Sequence, residues 1–465
     1  MESVEITGYA AEGKAIARPE GKVIFVQGAV PGDKADLLIT KNKKDYAEAL
    51  AIRIIGPSPD REEPFCRHFG VCGGCKWQML PYQKQLEYKQ QEAAENLSRI
   101  GKTGPLPMLP IIGSEKQRAY RNKLEFTFSN RRFLTDEDQR QGTDENTGAL
   151  GYHVARVFHK CIDITECHLM DEVNNKVRNE MRKIAIENNY PYYDIKQHTG
   201  WLRNVILRLT RTGELMVNVV LNHDEEQNRK FLLDELLKRV PEITTLLYTI
   251  NSKWNDSIFD LEPVVYSGKG YVTERLFTGE NGRYFDFIIG PKSFFQTNTL
   301  QAENLYRVTA EFAALTGKET VYDLYCGTGS IGIFLSDKAG KIIGVETIEE
   351  AVKDAGKNAL LNNISHAEFF AGDVIRVCND EFFARHGRPD VVITDPPRAG
   401  MHEKLIQKLL EIAAPRIVYV SCNTATQARD IQLLSEKYEV EKIRPVDMFP
   451  HTHHIESVAA LTLKS

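Results

Sequence analysis

The sequence predicts an α/β protein whose C-terminal part is a doubly wound, mainly parallel sheet. Three observations lead to this prediction. Strand-like apolar runs alternate with helical stretches from about residue 287. A G-x-G-x-x-G turn at 327–332 follows one of these runs, where a strand would pass into a helix. Two more runs end in reactive side chains, Asp395 and Cys422, and the carboxyl ends of strands carry the chemistry in such sheets.

The strands of this domain follow from the spacing of the apolar runs. The run that ends the chain is expected to return antiparallel and to close the sheet. The runs lie at 320–325, 341–345, 367–370, 390–394, 416–420, 438–445 and 457–463.

The chain divides into three predicted domains. Residues 1–57 predict a small β-barrel, because short strand-like runs are separated by glycine-rich turns. Residues 58–286 predict a central α+β domain, and residues 287–465 form the doubly wound domain. In the central domain we expect strands at 122–128, 204–209 and 215–221, helices at 82–100, 169–188 and 224–239, and an exposed loop at 135–147.

The composition is that of a globular protein, with 42% hydrophobic and 26% charged residues. No apolar run reaches the roughly 18–20 residues that a membrane span needs, and the first residues lack a secretory pattern. A cytoplasmic protein without membrane contact is therefore expected, with no disulfide framework among its eight cysteines. The net charge of −5 argues mildly against a nucleic-acid partner, although a local basic groove is compatible with it. We expect a monomer.

Three cysteines lie within ten residues, in the pattern Cys66-x5-Cys72-x2-Cys75. Such a cluster in a reducing compartment favours metal ligation over plain packing. Zinc sites more often use two C-x-x-C pairs, whereas three close cysteines and one remote cysteine suit an iron–sulfur cluster. The fourth ligand would be Cys167 or Cys161; we favour Cys167, although spacing alone does not separate them.

The glycine-rich turn predicts a nucleotide-type cofactor. It follows Asp323, and Glu346 ends the next strand 23 residues later, where a carboxylate would bind ribose hydroxyls. Asp373 ends the third strand, where it would meet an adenine. The turn alone fits NAD as well as S-adenosylmethionine, and Asp395-Pro-Pro further along the chain favours S-adenosylmethionine.

Cys422 and Glu456 form the predicted catalytic pair. Beside a methyl donor, a thiolate that adds to carbon 6 of uracil makes carbon 5 nucleophilic, and a carboxylate must then remove the carbon-5 proton. Methylation of an adenine amino group is the rival interpretation of Asp395-Pro-Pro. It usually requires an aromatic residue after the prolines, and Arg398 stands there instead. Cys326 is a competing nucleophile, but it lies on the cofactor side.

Together these motifs resemble the uracil-C5 RNA methyltransferase family, along nearly the whole chain. The motifs are Cys66-x5-Cys72-x2-Cys75, Ser293-Phe-Phe-Gln296-Thr-Asn298, Asp323-Leu-Tyr-Cys-Gly-Thr-Gly329, Asp395-Pro-Pro-Arg398, Ser421-Cys422-Asn423 and Phe449-Pro-His-Thr-x-His454-x-Glu456.

The resemblance implies a Rossmann-like methyltransferase domain, an N-terminal TRAM domain of OB-like barrel fold, and a 4Fe-4S cluster held by Cys66, Cys72, Cys75 and Cys167. It implies that Cys422 is the nucleophile and Glu456 the base. It also implies that Gln296 contacts cofactor or substrate, and that the following residues line the S-adenosylmethionine pocket: Tyr325, Glu346, Asp373 and Asp395.

The barrel and the cluster make the chain look more like bacterial 23S rRNA enzymes than the shorter tRNA enzyme. Uracil-C5 methylation of tRNA, a non-catalytic RNA-binding iron–sulfur protein and an NAD-dependent oxidoreductase remain the alternatives. Arg118, Arg121, Lys123 and Arg203 are candidate RNA-phosphate contacts, with a solvated charged strand edge as the competing interpretation.

Overall fold

The computed structural model describes residues 1–102, 107–155 and 157–465. None of the helices in these ranges is both long and apolar enough to cross a membrane. Short 3-10 helices occur at Ala11–Gly13, Pro19–Gly21, Glu145–Thr147 and Ser336–Lys338.

The N-terminal domain is a small closed barrel. Its first two strands belong to one continuous segment, in which β1 pairs with β5 and β2 pairs with β3. Between them, the amides of Ile6 and Thr7 donate to the carbonyls of Asp33 and Ile16. The other pairings run β5-β6-β4-β3, so this segment closes the ring, as predicted. The strands are β1 Val4–Glu5, β2 Gly8–Tyr9, β3 Ala15–Ala17, β4 Val23–Gln27, β5 Lys34–Asn42 and β6 Tyr46–Gly56.

The central domain is a seven-stranded sheet in the order β13-β12-β11-β10-β7-β8-β9, with helices α3 and α4 in its main core. Its elements are α1 Tyr82–Arg99, β7 Lys123–Ser129, α2 Asp136–Arg140, β8 Ala149–Val154, β9 Val157–Asp163, α3 Val173–Glu187, β10 Leu202–Leu209, β11 Leu215–Leu221, α4 Glu226–Arg239, β12 Thr245–Ile250 and β13 Val264–Ser267.

One expectation for the central domain is wrong. The stretch 135–147, predicted as an exposed loop, contains the short helix α2. Thr135 and Asp138 form a reciprocal capping box at its start, and the Asp138 carboxylate also accepts from Arg132. This helix is stabilised by its cap and an ion pair rather than by an apolar face, so hydrophobic periodicity gave no signal.

The C-terminal domain contains the doubly wound sheet, in the order β18-β17-β16-β19-β20-β22-β21. The domain begins before the predicted boundary at residue 287, because the hairpin of β14 and β15 shares its hydrophobic core through Val272, Leu276 and Phe285. The strands of the doubly wound sheet are parallel except β22, which runs antiparallel to β20 and β21 and confirms the predicted closing strand. The elements are β14 Val272–Phe277, β15 Tyr284–Ile289, α5 Thr299–Ala313, β16 Thr320–Leu324, α6 Ser330–Leu335, β17 Lys341–Glu346, α7 Glu349–Leu361, β18 Ala367–Ala371, α8 Val374–Val377, α9 Asp380–His386, β19 Val391–Thr394, α10 Glu403–Ile412, β20 Arg416–Ser421, α11 Thr424–Leu434, β21 Tyr438–Val446 and β22 Glu456–Leu463.

The strand order reverses between β16 and β19, because β17 and β18 extend the sheet on one side and β20 on the other. Such a switch point leaves a crevice at the carboxyl ends of the two central strands. The fold therefore places a ligand site beside Leu324 and Thr394, the last residues of β16 and β19.

Helix α1 docks on the C-terminal domain through a polar stripe. Its buried positions are Gln85, Lys89, Ala93 and Leu97, four residues apart. The Lys89 ammonium donates to the Asp447 carboxylate at 2.6 Å, and both side chains are fully buried. The Tyr82 hydroxyl donates to the same carboxylate at 2.8 Å. This network fixes the start of the segment between β21 and β22.

We expect Lys89→Ala to lower the free energy of unfolding by roughly 3–5 kcal/mol, because it leaves the Asp447 carboxylate buried without its cation. Chemical denaturation followed by circular dichroism measures the change. Lys84→Ala is the matched control on the same helix, since Lys84 makes only partly exposed ion pairs to Asp60 and Glu87. Equal stability of the two variants would contradict the importance of the buried pair.

Candidate active site

A cavity of about 1230 Å³ opens at the carboxyl ends of the central strands. Six predicted site residues line it: Gln296, Tyr325, Glu346, Asp395, Cys422 and Glu456. A smaller cavity of about 390 Å³ shares Tyr325 and Glu346 with it and is also lined by Asp373. The structure thus gathers all the residues expected around cofactor and substrate into two adjoining cavities.

The glycine-rich turn has the backbone shape that a cofactor cradle needs. Tyr325, Gly327 and Gly329 all have positive φ, at 62°, 52° and 78°. The Asp323 carboxylate accepts from the Gly332 amide at 2.9 Å, and burial raises the pKa of Asp323 to about 7. A Cβ at position 332 would lie 3.1 Å from this carboxylate, which explains the glycine. The turn leads into the N-terminus of α6.

The two acidic residues at the cofactor side also order backbone. One Glu346 carboxylate oxygen accepts from the Gly327 amide at 3.2 Å, and the other accepts from the Ile348 amide at 3.0 Å. Asp373 caps α8 by accepting from the Ile375 amide at 2.8 Å. Both carboxylates are therefore held at the cavity wall, with their orientation set by the loops they bind.

The register of β20 and β22 brings Cys422 and Glu456 together. Ser421 pairs with Ser457 at the end of the antiparallel ladder. Cys422 follows the first of these residues and Glu456 begins β22 just before the second. The two therefore lie side by side at the carboxyl end of β20. Asp395 follows β19, the parallel neighbour of β20. Three reactive groups distant in sequence thus meet at one end of the sheet.

These groups perturb one another. Burial raises the pKa of Asp395 to about 7 and, together with the Asp395 charge, raises the pKa of Glu456 well above its usual value. Burial and both carboxylates raise the pKa of the Cys422 thiol to about 11, while the positive charge of Arg398 opposes this shift. Perturbed carboxyl groups beside a thiol in one cavity are typical of acid–base and nucleophilic chemistry.

Arg398 is held in place by a residue that sequence reasoning did not single out for this role. A guanidinium nitrogen of Arg398 lies 2.6 Å from Nδ1 of His454, which also lines the large cavity. Burial and the neighbouring His453 lower the pKa of His454 to about 3, so its ring is neutral and accepts the hydrogen bond. The two residues are 56 positions apart, and no local pattern signals the pair.

The segment between β21 and β22, residues 447–455, accepts backbone hydrogen bonds from the cysteine-rich segment. The amides of Lys76 and Trp77, directly after Cys75, donate to the His451 carbonyl at 2.8 and 3.0 Å. The Tyr120 hydroxyl donates to the Pro450 carbonyl at 3.1 Å. The path to Glu456 is therefore set by contacts from two other parts of the chain.

Four cysteines line a separate cavity of about 370 Å³: Cys66, Cys72, Cys75 and Cys167. Burial raises the pKa of the Cys72 thiol to about 11 and that of Cys75 to about 12. Cys161 does not line this cavity; its sulfur lies 3.4 Å from Nδ1 of His153. The structure therefore associates Cys167, and not Cys161, with the three clustered cysteines.

The arrangement of the four cysteines suits a group of several atoms better than a single metal ion. Across the described ranges, no three His, Cys, Asp or Glu side chains are gathered closely enough to hold one metal ion. The four cysteines instead surround a cavity, a donor set that suits a thiolate-bound iron–sulfur cluster. Cys326 and Cys378 are buried elsewhere, and neither lines the catalytic cavity.

One candidate RNA contact is wrong. The Arg203 side chain is 1% exposed and donates to the carbonyls of Asn251 and Asn255 and to the Asp256 carboxylate. Arg203 anchors the loop that follows β12, and its buried guanidinium is not accessible to an RNA phosphate. Arg121 lines both the cysteine cavity and the catalytic cavity, and Arg118 is exposed, its guanidinium 3.8 Å from the centre of the Phe65 ring.

Comparisons with known proteins identify the domains. Residues 263–464 match the tRNA (Uracil-5-)-methyltransferase family model, and residues 2–52 match the TRAM domain. Proteins described as uncharacterized RNA methyltransferases from Bacteroides thetaiotaomicron and Porphyromonas gingivalis are 50% and 47% identical. Each match spans 98% of this chain, with 100% and 99% of the respective relatives covered.

A solved structure is similar over the full length. It is the tRNA (uracil-54, C5)-methyltransferase of Pyrococcus abyssi in complex with S-adenosyl-L-homocysteine, with a TM-score of 0.75 and 27% identity. The match covers 99% of this chain and 100% of that one.

The doubly wound sheet, its glycine-rich turn and the adjoining cavities define an S-adenosylmethionine-dependent methyltransferase that acts on RNA. The chain belongs to the uracil-C5 RNA methyltransferase family, which confirms the resemblance seen in its motifs. The alternatives of an NAD-dependent oxidoreductase and of adenine amino methylation are thereby set aside.

Proposed function

We propose that this methyltransferase modifies carbon 5 of a uridine in 23S rRNA through a covalent bond between Cys422 and carbon 6 of the base. The observation that carries the proposal is the strand register that sets Cys422 beside Glu456, in the cavity shared with Asp395 and the cofactor turn. Carbon 5 of uracil is a poor nucleophile, and a thiol with a neighbouring carboxyl group is the arrangement that overcomes this.

In the first step the Cys422 sulfur bonds to carbon 6, and the electron pair of the 5,6 double bond moves into an enolate at carbon 4. The positive charge of Arg398, which opposes the rise in the thiol pKa, favours the thiolate form. S-adenosylmethionine supplies an electrophilic methyl group when bound. Carbon 5 would form the new bond to that methyl as the carbon-4 carbonyl re-forms, and the bond between the methyl and the donor sulfur would break with its electron pair kept by that sulfur. The cavity excludes much of the solvent from these groups, because Glu456 is only 5% exposed.

In the second step the Glu456 carboxylate removes the carbon-5 proton, and the electron pair re-forms the double bond as the Cys422 sulfur leaves. The raised pKa of Glu456 makes its carboxylate a stronger base than an exposed one. The sulfur regains its pair of electrons and the enzyme returns to its starting state. Gln296, at the cavity wall, is positioned to contact cofactor or base.

The cysteine cavity would hold a 4Fe-4S cluster with Cys66, Cys72, Cys75 and Cys167 as ligands. Methyl transfer moves no net electrons, so the cluster would have a structural role there. We expect Cys167→Ser to lose bound iron and visible absorbance after anaerobic purification, because one thiolate ligand is removed. Cys161→Ser is the matched control and should retain both. If Cys161→Ser lost its iron and Cys167→Ser retained it, Cys161 would be the fourth ligand instead of Cys167.

The choice of 23S rRNA rests on the TRAM domain and the cysteine cluster. A tRNA uridine is the second candidate, favoured by the full-length similarity to the Pyrococcus abyssi tRNA enzyme. Mapping 5-methyluridine in ribosomal and transfer RNA from a gene-deletion strain and its parent tests both. Loss of a modified uridine from 23S rRNA supports the proposal, and loss confined to tRNA overturns it in favour of the second candidate.

A further inference from the structure

The loop between β12 and β13 presents two aromatic side chains to solvent, and one of them, Phe259, lies at the catalytic cavity. Trp254 is 76% exposed and Phe259 is 68% exposed. Phe259 and its neighbour Asp260 line the catalytic cavity itself. Exposed aromatic rings on a loop that reaches an active site offer flat faces on which a nucleobase can stack.

The loop is anchored firmly, so the exposure of these rings is not the result of a loose segment. Fully buried Arg203 donates to the carbonyls of Asn251 and Asn255 and to the Asp256 carboxylate. Ile258 packs against Ile206 and Val220 of the sheet, with Leu261 beside it. The Lys253 ammonium forms an ion pair with Asp260, which ties the two halves of the loop together.

Trp254 already has one stacking partner. Its ring stacks on the ring of His198, with centroids 4.7 Å apart and planes 4° apart. His198 is in turn fixed by the Tyr193 hydroxyl, 3.0 Å from its Nδ1. With 76% of Trp254 exposed, the face of the indole away from His198 is open. A nucleobase placed on that face would extend the existing stack. The entropy lost in ordering the indole would be small, because His198 already holds it in place.

We propose that Trp254 and Phe259 form a stacking platform for unpaired nucleobases of the RNA substrate that flank the target uridine. Single-stranded RNA fits because each base has a flat face and aromatic side chains bind such faces regardless of sequence. The platform adjoins the cavity in which the target base would react. Target uridines presented in loops, rather than in uninterrupted duplexes, are the substrates it selects. The inference rests on RNA as the substrate, and not on the covalent step.

Tryptophan fluorescence provides a direct test. The chain has three tryptophans, and Trp77 and Trp201 are only 1% and 0% exposed. Trp254 therefore provides the solvent-accessible emission. We expect a short single-stranded oligouridylate to quench this emission in the full-length protein and to shield it from acrylamide. Trp254→Phe should lose the signal but keep RNA binding, because phenylalanine still stacks.

Binding measurements complete the test. Trp254→Ala and Phe259→Ala should each weaken oligouridylate binding by about tenfold, the scale of one lost base stack. Phe231→Ala is the matched control, since Phe231 is 47% exposed on α4 and lines neither the cysteine cavity nor the catalytic cavity. Unchanged binding in the double alanine variant overturns the platform. A shift in oligomeric state with unchanged RNA binding would assign the surface to a protein contact and also overturns it.

The two proposals fail separately. If Cys422→Ala loses methyl transfer while the double alanine variant binds RNA normally, the platform is wrong and the proposed function stands. If the double variant loses RNA affinity while Cys422→Ala still methylates, the platform stands and the covalent mechanism is wrong.

Discussion

Cys422→Ala should abolish methyl transfer, with a loss of roughly four to six orders of magnitude, the scale on which a covalent enzyme loses its nucleophile. Without the sulfur, carbon 5 of uracil has no route to an enolate, and the bound methyl donor has no nucleophile to meet. The measurement is transfer of a labelled methyl group to RNA under single-turnover conditions. RNA containing 5-fluorouridine should form a stable covalent complex with the wild-type protein and none with this variant.

Cys326→Ala provides the matched control for that experiment. Cys326 is a buried cysteine near the cofactor turn that does not line the catalytic cavity. This variant should retain the covalent complex. A complex that persists in Cys422→Ala and disappears in Cys326→Ala would transfer the role of nucleophile to the other cysteine.

The rate of covalent complex formation should also depend on pH. The pKa of the Cys422 thiol is raised to about 11, so below this value the thiolate fraction grows as the pH rises. Formation of the 5-fluorouridine complex should therefore accelerate between neutral and alkaline pH. Removal of the opposing positive charge in Arg398→Ala should slow it at a given pH, because the thiol pKa rises further.

Glu456→Gln should separate the two halves of the reaction. The glutamine side chain keeps the size of the glutamate but does not accept the carbon-5 proton, so the cysteine stays bonded to the methylated base. Turnover should fall by about 10²–10⁴-fold, the usual contribution of a general base. Denaturing gel electrophoresis with ordinary uridine RNA should show a protein–RNA adduct that carries one methyl group.

Asp395→Asn is the informative companion variant. Asp395 lies beside Glu456 and raises its pKa, so the asparagine should lower the pKa of Glu456 and weaken the base. Turnover should slow less than in Glu456→Gln and less adduct should accumulate, because Glu456 still removes the proton. If Asp395→Asn accumulated the adduct and Glu456→Gln did not, Asp395 would be the base instead.

The C-terminal sheet could be predicted closely from the sequence. Its inner parallel strands are short apolar runs with buried side chains on both faces. The structure places each parallel strand within a residue or two of its expected position, as with β17 at Lys341–Glu346 and β19 at Val391–Thr394. The position of Cys422 followed from the same regularity, because parallel strands align their carboxyl ends. The apolar run of the antiparallel strand β22 was also predictable, whereas its insertion between β20 and β21 follows only from the tertiary structure.

Elements without such periodicity were harder to predict. Helix α1 was expected, but its docking was not, because its buried stripe begins with Gln85 and Lys89. A lysine on a helix normally indicates a solvated face. The Asp447 carboxylate, 358 positions away, and the Phe449 carbonyl accept hydrogen bonds from its ammonium and compensate its burial.

The sequence by itself determined the strands of the methyltransferase sheet, the grouping of three cysteines and the candidates for the reactive residues, since each depends on local spacing and side-chain chemistry. The tertiary structure decided which groups meet. It brought Cys167 rather than Cys161 to the cysteine cavity, joined Arg398 to His454, and converted Arg203 from a candidate phosphate contact into the anchor of the Trp254 loop. These contacts link residues tens to hundreds of positions apart, and they follow from how the sheets pack rather than from any local pattern.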